Sequence, residues 1–219
     1  SRQTYVTGNA VKNAASELRK RIEAMLAVKH GLEPSKMIFG EEFIKVDDRK
    51  IAWQDVYDLL EKSPEGTSVE VRYSAPQTYS LEVGGKIHVA YGFAAQVVQI
   101  AIDPESGEVK VLRVIAASDA GRVINPLGFQ SQVEGGAVMG VGHGIMEEFK
   151  LENGVILSDR IAKYEIPRMK DSPKVESLIV EDPTSEGPYG AKGIGELVCV
   201  PTPPAIANAV YNAIGLRVD

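Results

Sequence analysis

Cysteine is almost absent from this sequence: Cys199 stands alone among 219 residues. One cysteine cannot form an internal disulfide, which fits a reducing compartment, so a cytoplasmic location is the expectation. It also leaves no cysteine cluster for an iron–sulfur centre within this chain. Positive charge is scarce as well. The net charge is -6 and no basic run occurs, which argues against a nucleic-acid partner. No apolar stretch reaches the roughly 18 residues of a membrane helix. The residues given do not read as a secretory leader with basic start and apolar middle, and no membrane partner is expected. The three histidines, His30, His88 and His143, are scattered, and no metal site built from protein side chains is expected.

What is present is enough apolar material for a core: 44% of the residues are hydrophobic. From Gly8 to His30, apolar residues recur at helical spacing (Val11, Ala14, Ala15, Leu18, Ile22, Met25, Leu26). Thr7 is the expected N-cap and Gly31 the stop. "KMIFG", "EEFIKVD" and "KIAW" read as short strands, followed by a helix near Gln54 to Lys62, and "GTSVEVRYSA" as a further strand. "HVAYGFAAQVVQIAID", "PESG" and "EVKVLRVIAASD" form the clearest hairpin and suggest a central antiparallel pair. Pro126 opens a helix that continues to about Glu148, although five glycines lie between Gly135 and Gly144. Each helical glycine costs about 1 kcal/mol against alanine, so another backbone or a bulky ligand must approach that helix closely. "FKLENGVIL" reads as a hairpin with Asn-Gly at its turn, "KVESLIVED" as a strand, and Pro203 to Ile214 as a last helix. Strands and helices mix without βαβ alternation, so the expected class is α+β, with mixed or antiparallel sheets and packed helices. No linker or repeat marks a boundary, and residues 1–219 are read as one domain.

The stretch "GPYGAKGIGELVCVPTPP" concentrates flexibility just ahead of a carboxylate, Glu196. It is not a phosphate loop: Gly193 follows Lys192 where a P-loop needs Ser or Thr. The order of Gly190, Gly193 and Gly195 also fails the dinucleotide fingerprint. Composition and spacing alone leave a structural turn and a catalytic loop both open. Cys199 reads as a small core residue and His143 as a packed or hydrogen-bonded one.

Three stretches, "GAKGIGE", "DAGRVINPLGFQSQVEGGAVMGVGHGIMEE" and the opening "SRQTYVTGNAV", together resemble the molybdenum hydroxylases, the xanthine dehydrogenase and aldehyde oxidase family. They occur in the family's order and span almost the whole chain. The resemblance is to the C-terminal part of the molybdopterin-binding catalytic subunit. It implies that Glu196 is a general base that takes a proton from a hydroxyl held by molybdenum. That oxygen attacks an electron-poor carbon of the substrate, and hydride passes to a sulfido ligand of the metal. A base in that role needs a pKa raised toward neutrality.

By the same resemblance Gln132 hydrogen-bonds the cofactor, Ser1, Arg2 and Gln3 bind the pterin and its phosphate, and Gly193 and Gly195 let the backbone approach. Molybdenum is then held by the pterin and not by side chains. Asp119, Asn125 and Pro126 match an element better read as a structural turn than as catalytic. The implied cofactor is molybdopterin, in its cytosine dinucleotide form. Iron–sulfur and FAD subunits would carry electrons away. The implied substrate is a purine-like aromatic heterocycle or an aldehyde. Because the family's subunit is several times longer and this chain starts at Ser1, a fragment or one half of a split subunit is expected. The rest of the subunit is then a partner, and the isolated chain is inactive. A reading from another class is a structural or assembly module that only docks with partner subunits.

Overall fold

The computed structural model describes residues 2–218. The chain separates into two compact units, residues 6–75 and residues 1–5 with 76–219. No composition shift announces that division, because its first boundary falls inside a helix.

In the smaller unit, α1 (Arg2–His30) passes its C-terminal half over a three-stranded antiparallel sheet. The strands are β1 (Met37–Phe39), β2 (Phe43–Val46) and β3 (Arg49–Ala52), and α2 (Trp53–Glu61) follows. Ile22 and Leu26 of α1 meet Met37, Ile44, Val46 and Ile51 from the sheet and Val56 and Leu60 from α2. The three- and four-residue spacing of these side chains places them on one helix face. Gly31 ends α1 in the left-handed conformation, φ 64°, as expected of a C-terminal stop. The start differs from expectation. The helix begins at Arg2, so Thr7 lies within it and not at its N-cap. "GTSVEVRYSA" also forms no strand. A lone apolar alternation gains no ladder bonds unless another strand lies beside it.

In the larger unit, β4 (Ala94–Ile102) and β5 (Val109–Asp119) form the expected hairpin. The pair is not flanked on both sides: β5 is central, β4 is an edge, and β8 (Lys174–Val180) joins β5 in parallel, with Ile115 opposite Glu176. Between β5 and β8 come α3 (Pro126–Ile145), the hairpin β6 (Leu151–Glu152) and β7 (Val155–Ile156), and the short α4 (Ile161–Tyr164). Asn153 and Gly154, at φ 47° and 83°, make the β6–β7 turn. The last helix is α5 (Thr202–Ile214). The core joins Val111, Val114 and Ala116 of β5 to Phe129, Val133, Ala137 and Val141 of α3, with Val198 and Ile206. The fold is α+β, with antiparallel and mixed sheets and packed helices.

Three of the glycines of α3 find their reason here. A Cβ at Gly136 would run into the side chain of Val198, and one at Gly140 into Thr202. One at Gly144 would stand 3.0 Å from Ile206 Cδ1. Three glycines at four-residue spacing thus form a groove, and residues 198, 202 and 206 fill it at the same spacing. The close approach is made by backbone and side chains of this chain.

Candidate functional site

The loop from Gly187 to Glu196 is built on the strand end at Asp119. Gly121, at φ 60°, forms an isolated antiparallel bridge with Ala191. A Cβ there would collide with the Gly190 carbonyl, so only glycine fits. Lys192 N–H donates to the Ala120 carbonyl at 2.8 Å, and Arg122 N–H to the Gly190 carbonyl at 3.0 Å. Tyr189 holds a left-handed conformation (φ 54°, ψ 21°) inside the loop, a strain of order 1 kcal/mol that the surrounding bonds must hold in place.

Side chains complete the join. The Lys192 ammonium donates to Asp119 Oδ2 at 2.6 Å and to Asp182 Oδ2 at 3.0 Å. Asp119 Oδ1 accepts from Gly121 N–H at 2.7 Å. Burial opposes the charge on Lys192, yet its hydrogen bonds to Asp119 and Asp182 and their charges outweigh that cost and hold its pKa above the ordinary lysine value. Asp119 is therefore structural, as its motif suggested. Sequence reasoning missed the partnership with Lys192, because 73 residues separate the two.

After the loop, the chain turns before α5. Glu196 lies exposed in that turn. Its carbonyl accepts from Cys199 N–H and from the Cys199 thiol, both at 3.1 Å. On β4, Gln96 donates from Nε2 to the Val198 carbonyl at 2.7 Å and accepts from the Thr202 hydroxyl at 2.6 Å. Cys199 is half-buried, consistent with a packing role. His143 stands on α3 with Nε2 3.6 Å from Glu147 Oε2.

A cavity of about 320 Å³ opens where these segments meet, lined among others by Thr4, Arg122, Asn125, Gln132, Lys192 and Ile194. It brings Gln132 of α3 to the glycine loop two residues from Glu196, and to the first turn of α1. Arg2 and Gln3, two and one residues before Thr4, are exposed on that turn, while Ser1 lies outside the described residues. Gly193 and Gly195 flank Ile194. Glu196 itself is not among the lining residues. A larger hollow of about 590 Å³ beside Val109, Ile145 and Lys170 holds none of the expected residues, so volume alone does not locate the site. Among the described residues, no group of three His, Cys, Asp or Glu is placed to bind a metal ion.

The sequence pattern of the family described as the molybdopterin cofactor-binding domain matches residues 1–173. The chain belongs to this family. Its relatives include a probable xanthine dehydrogenase component from Bacillus subtilis (strain 168), 31% identical over 219 residues, all of this chain and 29% of the relative. The aldehyde oxidoreductase molybdenum-binding subunit PaoC of Escherichia coli (strain K12) is 34% identical over 202 residues, 90% of this chain and 26% of that protein. A solved Cu,Mo-CO dehydrogenase superposes over 98% of this chain and 27% of its own, with TM-score 0.82 and 23% identity, a likeness of fold alone. The chain thus spans less than a third of the length of the relatives it matches. The family pattern includes Gln132 and ends before the glycine loop, whereas the Bacillus subtilis relative aligns over the whole chain.

The cavity's donor set suits such a cofactor. The lining residues Arg122, Thr4 and Gln132 carry a guanidinium, a hydroxyl and an amide that both donates and accepts, group types that match phosphate and a pterin ring. No helix among the described residues is long and apolar enough to cross a membrane.

Proposed function

We propose that this chain is part of the catalytic subunit of a molybdenum hydroxylase, and that its own contribution is one wall of the cofactor site together with the general base. The observation that carries this reading is the convergence of Gln132, Thr4 and the glycine loop before Glu196 on one cavity. When bound, molybdopterin supplies the redox centre at which a water-derived oxygen is inserted into the substrate.

The rest belongs to the chain. Gln132 orients the cofactor through its amide, and Arg2 and Gln3 hold its pterin and phosphate end. Gly193 and Gly195 keep side-chain bulk away from it. Glu196 accepts a proton at its carboxylate as the oxygen nucleophile forms, a role worth typically 10²- to 10⁴-fold in rate for a well-placed base. The substrate class is an electron-poor carbon in a purine-like heterocycle or an aldehyde. Electrons leave to iron–sulfur and FAD partners, and the cofactor is the cytosine dinucleotide form. Residues 1–219 act as the C-terminal molybdopterin-binding portion, in a cytoplasmic enzyme whose remaining subunit portion completes the pocket. On its own the chain does not turn over.

The test is to purify the complete enzyme, quantify molybdenum, pterin nucleotide, iron and flavin, and assay a panel of heterocycles and aldehydes. Stoichiometric molybdenum with oxidation of either class supports the reading. An enzyme without molybdenum or pterin contradicts it and leaves the docking-module alternative.

A further inference from the structure

Burying charge costs free energy unless every charged atom finds a partner. The side chains of Lys192 and Asp119 are only 5% and 2% exposed, so packing alone does not account for them. Their bonding is directional. One oxygen of Asp119 takes the Lys192 ammonium and the other takes Gly121 N–H. A single carboxylate therefore grips two segments. The first leads through Asn125, whose side chain accepts from Gly128 N–H at 2.9 Å, into α3 and Gln132. The second carries Glu196, four residues beyond Lys192. Two residues past Glu196, Gln96 fixes the Val198 carbonyl. Glu196 is thus suspended between two anchored points, and the anchor on its N-terminal side joins the ion pair to the backbone bonds from Lys192 N–H to the Ala120 carbonyl and from Arg122 N–H to the Gly190 carbonyl.

We propose that the Asp119–Lys192 pair is a positioning device that fixes where Glu196 stands relative to Gln132 and the cavity. The inference rests on the reading of Glu196 as the base. Neither residue of the pair need touch reacting atoms; both act through the loop. An apolar pair of the same volume would fill the space as well, but it would not hold the loop in one direction.

The test uses the complete, cofactor-loaded enzyme and three variants: Lys192→Met, Asp119→Asn, and the two combined. Lys192→Met leaves a buried carboxylate unpaired and lowers Tm. The double variant removes both charges and regains most of that loss. Its kcat is expected to stay about 10- to 100-fold low, the scale of effect of misplacing a reacting group by about 1 Å, with KM and molybdenum content near wild type. Deuterium exchange in peptides spanning residues 187–198 should rise, while α3 exchanges as in wild type. A double variant whose kcat returns along with its Tm, or whose 187–198 peptides exchange as in wild type, overturns the proposal. Glu196→Gln measured alongside separates the two ideas. If it keeps wild-type kcat at full molybdenum content, the base reading falls, and the exchange result alone decides whether the pair pins the loop.

Discussion

Gly135 and Gly136 are neighbours on α3, yet they answer to opposite forces. Nothing lies within 4 Å of a Cβ built on Gly135, whereas one on Gly136 meets Val198. Gly135→Ala should therefore gain up to about 1 kcal/mol from helix propensity. Gly136→Ala gains the same term but forces overpacking that costs about 1–3 kcal/mol, so its net effect is destabilising. Denaturant unfolding of the two variants checks the sign at each site, and a stabilised Gly136→Ala would contradict the groove. A third residue tests cofactor binding. Gln132→Ala should lower molybdenum per enzyme, because it removes an amide from the cavity wall; unchanged metal content would count against that role. At this scale the sequence made the glycines conspicuous and left open what approached them. Asp119 and Lys192 were each visible in a motif, but a pairing across 73 residues leaves no local trace.

Elements with strong local signals formed where expected. Pro126 at the start of α3, Asn-Gly between β6 and β7, and the Pro-Glu-Ser-Gly turn after β4 each fix backbone angles from within a few residues. Elements whose fate depends on distant partners were less legible. β5 is central only because β8 arrives from 55 residues further on to pair with it. That parallel pair carries a testable electrostatic feature. Hydrogen bonds from Arg113 and Lys174 pull the Glu176 carboxyl down from 4.5 to about 2. A group whose pKa is lowered by folding contributes its stability in full above its unfolded value, and loses it as the pH falls through the folded one. The Tm difference between wild type and Glu176→Gln should be constant above pH 4.5 and vanish toward pH 2. Because the pair is partly exposed, it should also shrink with added salt. A difference that persists at pH 2 would contradict the ion-pair origin.

At the scale of the whole molecule, the two units have separate cores, and between α2 and β4 the chain runs without helix or strand. Such a stretch has few ladder bonds to protect it. A protease of broad specificity should cut first between residues 62 and 93; a first cut within β4, β5 or α3 would contradict the division. The sequence did not announce it because α1 runs through the boundary as one uninterrupted helix. The functional reading rests on the meeting of α1's first turn, α3 and the glycine loop at one cavity, and on the proton-accepting role of the carboxylate that follows. The most direct measurement of that role is Glu196→Gln in the complete enzyme, with molybdenum content and kcat determined on the same preparation. We expect full molybdenum content and a kcat lowered about 10²-fold or more. Wild-type kcat at full molybdenum content would show that Glu196 is not the base.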